Sequence, residues 1–494
     1  MKNLLYIISL CGLLTACDLQ EEPYGFYSDD NFYKSETDAE SGLLYAYNAL
    51  TFLEYSRGIF YIGDIPTETM SPKSDEAGDV YQLENWIANR ETEQLQYYFK
   101  YCYIAINRAN TVIDHIQNSS VLSETARRRI LGEAYFLRAW NYFNLVRTFG
   151  IVPVQTKMVA ELSQTTPPMA TGLDQLYDLI LGDLARADNL LEVNKVFGRA
   201  DKVAAQSLMA KAYLTIASSK EHNVHRYTEM RREPQIMYDS AAYWAGKVVR
   251  DYKNVYDFDT NLRDIYDVDK PTGPEHIFIM PIDRSGTQEG NYSKLPLLFL
   301  PSNNSVPFYI RYGNGDLQRA NGNGWGVFLC NDEFVETQFS TTDKRRTELI
   351  HRDIYDASGN PIVPNQVKGY FSSKYVDPDF IGERTSARPY LIRFSDIALV
   401  YAEAAGPEAG LAYVNRIRER AGVTPLPSGM TTDKFREAVI KERALELAFE
   451  GNRLYDLRRT ASVTTTDIKA AGLSEAEAAY YPSPQREIDL NPNL

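Results

Sequence analysis

The strongest constraint on the fold is a succession of two long amphipathic segments, residues 91–118 and 124–147. In the first segment apolar side chains recur every three or four positions, from Leu95 to Ile116. A second stripe of this kind follows, and Gly150 stands where its helix would stop. This spacing predicts α-helices that each bury one face against a neighbour.

Similar pairs of helical segments continue along the chain. The spacing predicts further helices at residues 173–191, 201–217, 238–250, 395–405, 408–420 and 432–449. The small-large alternation of Ala139 and Phe143 resembles that of tetratricopeptide repeats, although a proline-containing insert at 148–172 interrupts the period. We therefore predict a mostly α fold, built on a tetratricopeptide-like helical-repeat scaffold.

Two helix starts carry the signature of a capping box. Ser35 is followed three positions later by Asp38, and Thr171 is followed by Asp174 in the same way. In such a box the hydroxyl and the carboxylate accept hydrogen bonds from backbone N–H groups that have no partner inside the helix. We predict that one helix begins after Ser35 and another after Thr171.

Residues 252–390 lose the helical periodicity. Gly, Pro, Asn and aromatic residues accumulate here, as in PSNNSVPFYIRYGNGDLQRANGNGWGVF (301–328), and a short strand is predicted at 276–280. A loop region this long is usually functional or disordered, and the density of aromatic residues argues against disorder. We predict that residues 252–390 form a ligand-binding region on a scaffold made of 35–251 and 391–494.

The amino-terminal segment predicts export. An apolar run that ends at Leu14 is too short to span a bilayer and follows a single lysine, which is the layout of a secretory signal. Its last letters, LTAC, resemble a bacterial lipobox, in which the cysteine is acylated and becomes the first mature residue. We predict a signal peptide at 1–16, lipid attachment at Cys17 and a lipidated tether at 17–34. A simple signal peptide with a chance cysteine is the alternative.

Charge and cysteine content exclude two further classes of protein. The formal net charge is −14, which disfavours wholesale binding to the phosphates of nucleic acid. Beyond the amino-terminal segment only Cys102 and Cys330 remain, far apart in the chain. They predict neither a disulfide framework nor a metal site, and Cys102 is interpreted as a small core residue.

No residue pattern supports an enzyme, a cofactor or a metal. The sequence has no Gly-x-Ser-x-Gly elbow, no phosphate-binding loop and no His-Glu-x-x-His motif. The aspartate-rich stretch 257–269 lacks the glycine and the glutamate that an EF-hand needs, so only an irregular calcium site stays open. A pair of glycosidase carboxylates also stays open, since any two acids can meet in space.

Aromatic residues in flexible loops are the best candidates for ligand binding. A sugar ring packs its C–H face on an aromatic ring, while nearby polar groups bind its hydroxyls. The candidates, in order, are Trp325 with Asn323 in NGNGWG, then Trp86 with Tyr81 and Asn85, then Tyr292 and Tyr312. For each ring the alternative is packing on the scaffold beneath its own loop. Trp140 and Trp244 lie on helical stripes and are predicted to be core.

The stretch EGNRLYDLRR, residues 450–459, concentrates charge near the carboxyl end. Its charges alternate in sign and lie between apolar residues, whereas an active site or an anion site would bring one sign together in a cleft. We interpret it as an internal strut, with a break between two helices at Gly451 and Asn452.

Several stretches taken together resemble the SusD/RagB family. They are GEAYFLRAWNYFNLVRTFGIVPV (132–154), YLIRFSDIALVYAEA (390–404), NRIRERAG (415–422), ERALELAFEGNRLYDLRR (442–459) and YPSPQREIDLNPNL (481–494). The chain departs from the family in DLRRT, where members often have a tryptophan soon after the arginine, and in its short tail. The resemblance implies that residues 35–494 form one SusD-like domain.

The resemblance also implies a function. Such proteins are lipid-anchored on the outer face of the outer membrane, bind oligosaccharide or in some members peptide, and act as a lid over a SusC-like TonB-dependent transporter. Trp86 and Trp325 lie in regions comparable to those that bind ligand in the family. The expected function is therefore non-enzymatic glycan capture; a surface glycoside hydrolase, a peptide-binding member and a pure protein-interaction scaffold are the alternatives.

Overall fold

The structure is a computed structural model that describes residues 32–76, 78–284, 293–362 and 369–494. Cys17 and Tyr292 therefore lie outside the described residues.

Helices make up most of the described fold. The helices of the described residues are α1 (Glu36–Asn48), α2 (Leu53–Gly63), α3 (Asp79–Glu84), α4 (Glu93–Ile116), α5 (Glu124–Phe149), α6 (Leu173–Leu190), α7 (Lys202–Glu221), α8 (Pro234–Asp251), α9 (Leu295–Phe299), α10 (Asp332–Gln338), α11 (Lys344–Leu349), α12 (Phe394–Ala405), α13 (Pro407–Arg420), α14 (Thr432–Glu446), α15 (Arg453–Arg459), α16 (Val463–Thr466), α17 (Glu475–Ala479) and α18 (Gln485–Leu490).

Strands are short and most of them lie in the region predicted to be loop-rich. The strands of the described residues are β1 (Met70–Pro72), β2 (His276–Ile279), β3 (Phe308–Arg311), β4 (Leu317–Ala320), β5 (Phe328–Cys330), β6 (Ile350–His351), β7 (Ile354–Tyr355), β8 (Pro361–Ile362), β9 (Phe371–Ser372) and β10 (Tyr390–Arg393).

The helical scaffold consists of successive helices that pack side by side. Helix α4 packs on α5, α5 on α6, α6 on α7 and α7 on α8, and α12 then packs against α8, α13 and α14. The predicted helices at 91–118 and 124–147 are confirmed as α4 and α5, with ends that differ by two residues. The mostly α, tetratricopeptide-like fold class predicted from the spacing is confirmed.

One of the two predicted helix starts is confirmed, with half of the capping box: the Asp38 carboxylate accepts from the Lys34 N–H at 3.0 Å and not from Ser35. Ser35 caps α1, because its hydroxyl accepts from the backbone N–H of Asp38 at 3.1 Å. The prediction at Thr171 is wrong. Helix α6 begins after Gly172, without a side-chain cap, and Thr171 instead donates its N–H and hydroxyl to the Gln175 side chain.

The core lies where the scaffold helices meet. Helix α5 is buried on nearly all sides, since it has neighbours in α1, α4 and α6, and it contributes Phe136 and Trp140. Cys102 is buried on α4, as predicted. Trp140 is confirmed as a core residue, whereas Trp244 is half-buried and packs against the edge of the scaffold.

The loop-rich region is tied to the scaffold rather than set apart from it. The predicted strand at 276–280 is confirmed as β2, and it pairs antiparallel with β10, which leads directly into α12. Strands β4, β3, β7 and β8 form a small sheet in that order. This sheet covers a second apolar cluster that includes Phe308 and Ile310.

The charged stretch 450–459 is an internal strut, as predicted. Glu450 accepts from Arg393 at 2.7 Å and from Lys374 at 2.6 Å, and all three side chains are buried. The partners, however, come mostly from other elements instead of from within the stretch. Because a buried charge without a partner is costly, this network fixes how the carboxyl-terminal helices meet β10.

Backbone contact explains the break between α14 and α15. Gly451 has φ +77°, in the left-handed region that glycine adopts at little cost. A Cβ at Gly451 would lie 2.3 Å from the Ile59 side chain, and a Cβ at Gly63 would lie 2.3 Å from the Gly451 carbonyl oxygen. The turn therefore lies directly against α2.

Candidate functional site

A short ladder brings together the two regions in which the sequence predicts binding residues. Strand β1 pairs antiparallel with β5, with Met70 opposite Cys330 and Pro72 opposite Phe328. The pairing continues as a hydrogen bond of 2.9 Å from the Lys73 N–H to the Val327 carbonyl. The segment that follows β1 thus lies beside the segment that precedes β5, although they are far apart in sequence.

Trp325 is an exposed aromatic residue next to this ladder. It is 46% exposed, and its backbone N–H donates to the Leu297 carbonyl at 2.6 Å. The neighbouring glycines permit this close approach, since a Cβ at Gly324 would lie 1.9 Å from the Leu300 carbonyl oxygen and Gly326 has φ +60°. The backbone is buried and fixed while the indole remains accessible.

The groups around the Trp325 ring are polar and electrically balanced. The Lys294 ammonium lies 5.7 Å from the ring centroid, within reach of a cation–π interaction. The same ammonium pairs with Glu383 at 2.9 Å. Asn323 is exposed next to the ring, with its backbone bound to the Asn321 side chain at 3.1 Å. This arrangement offers a ring face with hydrogen-bonding groups at its edge.

The segment across the ladder supplies further polar groups and one ring. Tyr81 on α3 is 52% exposed, whereas the Asn85 amide is occupied by a hydrogen bond of 2.8 Å to the Tyr81 carbonyl. Lys73 pairs with Asp75 at 3.3 Å and with Glu76 at 3.9 Å. Of the two candidates predicted here, Tyr81 is therefore the one whose side chain is accessible.

Trp86 does not present a ring face. It is 8% exposed, its indole N–H donates to Asp467 at 3.2 Å, and its ring stacks on Tyr481 with centroids 6.2 Å apart. Its φ of +57° turns the chain towards α4. The geometry matches the alternative of packing on the scaffold, so it gives no support to Trp86 as a stacking platform.

Tyr312 is also buried, but it lies in the wall of an open cleft. The Arg263 guanidinium lies 4.5 Å from the Tyr312 ring centroid, and His351 meets the ring edge-on at 5.5 Å. Burial raises the pKa of the Tyr312 hydroxyl, which donates to Gln318. Tyr312 therefore holds Arg263 and Gln318 in place instead of offering a surface for stacking.

The polar cleft beside Tyr312 has a volume of about 600 Å³. We use "polar cleft" for the space lined by Asn261, Arg263, Asp264, Tyr266, Asp267, Tyr312, Asp316, Leu317, Gln318, Arg319, Leu349, Ser373 and Val376. Most of these residues were missed by sequence reasoning. The aspartate-rich stretch 257–269 was the available signal, because it supplies five of the lining residues.

Two aspartates of the stretch 257–269 lie beside the lysine that directly follows it in the chain. Asp264 and Asp267 both face the Lys270 ammonium, at 2.8 and 3.6 Å, which supplies the positive charge that a cation would bring. Within the described ranges, no group of three or more histidine, cysteine, aspartate or glutamate side chains is placed to hold a metal ion.

No helix among the described residues combines the length and the apolar character needed to cross a bilayer.

Two family models match the chain. The model described as the SusD family matches residues 353–494, and the model described as "Starch-binding associating with outer membrane" matches residues 33–214. The two matches fall mainly on the two parts of the helical scaffold, and the first also covers residues 353–390 of the loop-rich region, including Ser373 and Val376 of the polar cleft. Trp325 lies between the two matched ranges.

Curated relatives cover nearly the whole chain. A SusD-like protein P38 of Formosa agariphila is 26% identical over 99% of this chain and 97% of its own. A SusD-like protein of Bacteroides ovatus is 25% identical over 92% of this chain and 82% of its own.

Solved structures share the fold. A SusD homolog from Bacteroides thetaiotaomicron superposes with a TM-score of 0.76 at 20% identity, covering 95% of this chain and 98% of that one. A laminarin-binding SusD-like protein superposes with a TM-score of 0.72 at 22% identity, covering 93% and 98%.

Proposed function

Because this chain belongs to the SusD family, we propose that it is a cell-surface glycan-binding lipoprotein. It captures nutrient oligosaccharide without cleaving it and delivers it to a SusC-like TonB-dependent transporter, over which it acts as a lid. The family description of starch binding and outer-membrane association supports this proposal, and so does the binding of laminarin by a protein of the same fold.

The observation that carries the proposal is the accessible indole of Trp325 on a fixed backbone. A sugar ring that packs on this indole removes apolar surface from water without requiring the loop to become ordered. The paired side chains of Lys294 and Glu383 lie beside the ring, and the exposed Asn323 is two residues away in the chain, so polar partners for hydroxyl groups are at hand.

The proposed anchor is the acylated Cys17. Each buried CH₂ of an acyl chain contributes about 0.8 kcal/mol, so several chains on one residue hold a protein firmly at the outer membrane. Residues 18–34 would then form the tether between the lipid and α1, which begins at Glu36.

The contribution of Trp325 can be worked from its exposure. An indole side chain presents about 250 Å², and 46% of it is accessible here. One sugar ring covers about half of that accessible surface, or about 60 Å², which at about 25 cal/mol per Å² is about 1.5 kcal/mol. Trp325→Ala is therefore expected to weaken glycan binding about tenfold.

The test is calorimetric binding of residues 18–494 to a panel of purified polysaccharides, with the length of each glycan measured before and after. Tyr243→Ala is the matched control, since Tyr243 is 56% exposed but lies on scaffold helix α8. We expect wild type and Tyr243→Ala to bind one glycan equally well and Trp325→Ala to bind it more weakly. We also expect the length of the glycan to stay unchanged. Shortened glycan would show a hydrolase, and binding to peptides alone would contradict the proposed ligand.

A further inference from the structure

The polar cleft offers unused hydrogen-bonding groups of both kinds. Gln318 accepts the Tyr312 hydroxyl through its amide oxygen, which leaves its amide N–H groups available. Asp316 is paired through Oδ2, with Arg263 at 3.2 Å and with Asn314 at 2.6 Å, and no hydrogen bond among the described residues uses its Oδ1. Vicinal hydroxyl groups, which both donate and accept, fit such a mixed set.

The charges in the cleft disfavour an anionic ligand. Its lining carries two arginines, Arg263 and Arg319, and three aspartates, Asp264, Asp267 and Asp316. Arg319 is further engaged by Asp379 at 3.3 Å, outside the lining. A sulfate or a carboxylate would therefore meet more carboxylates than free cations, whereas a neutral hydroxyl group meets a balanced set.

The same balance holds at Trp325. The cation nearest its ring, Lys294, is neutralised by Glu383 at 2.9 Å, and Lys73 across the ladder faces both Asp75 and Glu76. A protein that takes an anionic polymer needs a surplus of positive charge along the binding surface. We use "Trp325 platform" for the Trp325 indole with the neighbouring Asn323, Lys294 and Glu383. Neither the Trp325 platform nor the polar cleft has that surplus of positive charge.

The polar cleft and Trp325 are close along the chain, because Trp325 follows strand β4, which ends at Ala320. Gln318 lies on β4, and Trp325 follows seven residues later. An extended chain of that length spans at most about 25 Å, so the two lie within reach of one oligosaccharide of several residues.

We propose that the polar cleft is a second sugar subsite and that this protein selects uncharged glycans long enough to occupy both the cleft and the Trp325 platform. The inference rests on the proposed function and adds the charge class of its ligand. Gln318 is the residue through which the cleft is best tested, because it carries no charge and its loss leaves the balance unaltered.

The experiment uses neutral polysaccharides (laminarin, soluble starch, xylan and mannan) and the chemically sulfated form of each. At least one neutral polymer is expected to bind, about tenfold or more tightly than its sulfated form, with an affinity unchanged between about 50 and 500 mM salt. Gln318→Ala should weaken that binding about fivefold, whereas Gln235→Ala, at an exposed position of α8, should not.

Asp316→Asn provides a second variant at the cleft and should also weaken binding to the neutral polymer. Unchanged thermal melting shows that each variant is folded. Tighter binding of a sulfated polymer, or an affinity that falls steeply with salt, would overturn the choice of uncharged ligands. Loss of binding in Trp325→Ala together with wild-type binding in both cleft variants would refute the second subsite and leave the proposed function standing. If the protein binds none of the glycans, both the proposed function and the second subsite are refuted.

Discussion

Asp64 makes the stability of this fold depend on pH in a direction unusual for an aspartate. Its side chain is fully buried at the end of α2, where Oδ2 accepts from the Gly451 N–H at 2.6 Å and Oδ1 has no partner. Burial, reinforced by the nearby Glu450 carboxylate, raises the pKa of Asp64 from 3.8 to about 7. The neutral acid is therefore the form that the folded chain prefers.

The size of the effect follows from that difference in pKa. Between pH 3.8 and about 7 the folded chain keeps a proton that the unfolded chain has lost, so the free energy of unfolding falls as the pH rises. One pKa unit corresponds to 1.36 kcal/mol, so a difference of about 3 units amounts to about 4 kcal/mol above pH 7. Asp64→Asn keeps the shape and the acceptor for Gly451 but never ionises, and it should recover this energy.

Urea denaturation of wild type and Asp64→Asn at pH 5, 6, 7 and 8 tests the reasoning. The stability gained by the variant should grow by about 1.4 kcal/mol per pH unit and level off above pH 7. Asp456→Asn is the contrasting control, since Arg443 and Arg459 hold the pKa of Asp456 well below its usual value and its removal should destabilise at every pH. A difference between wild type and Asp64→Asn that does not change with pH would show that Asp64 is charged in the fold at neutral pH and would refute the argument.

Two further predictions concern buried ionisable groups. Arg393→Ala leaves the buried carboxylates of Glu275, Glu446 and Glu450 without their shared partner. It should therefore lower the free energy of unfolding, measured in urea, by about 3–5 kcal/mol. The control Arg352→Ala, which removes an exposed ion pair, should cost less than about 1 kcal/mol. A similarly small loss for Arg393→Ala would contradict the interpretation of 450–459 as a strut. Burial lowers the pKa of His351 to about 4. The free energy of unfolding should therefore fall by about 3 kcal/mol as the pH drops from about 6.5 to about 4. His351→Gln should remove this dependence on pH. If the free energy of unfolding of the variant falls with pH as in wild type, His351 is not the cause.

The scaffold could be predicted from the sequence because its information is local. Apolar spacing is repeated within each helix, so α4 and α5 were placed to within two residues. The prediction of a cap at Thr171 was wrong because the N–H and hydroxyl groups of Thr171 donate to the Gln175 side chain. The spacing of Thr171 and Asp174 in the sequence does not distinguish this arrangement from a capping box.

The candidate site depends on contacts that no local pattern records. The sequence predicts Trp325 as the first candidate and Trp86 as the second, since both are aromatic residues in polar loops. What separates them is Asp467 and Tyr481, which bury the second indole and lie near the other end of the chain. The β1–β5 ladder and the polar cleft likewise bring together segments whose pairing only the folded chain reveals.

The contact between Gly451 and α2 has a consequence for biosynthesis. The hydrogen bond from Gly451 to Asp64 joins residues 387 positions apart, and Trp86 reaches 381 positions to Asp467. The chain is synthesised from its amino end. The surfaces of α2 and of the segment after α3 that contact Gly451 and Asp467 therefore stay uncovered until most of the chain has been made. Helix α2 can pack on α4 early, but the packing around α2 and Trp86 is completed only when the last segments of the chain appear.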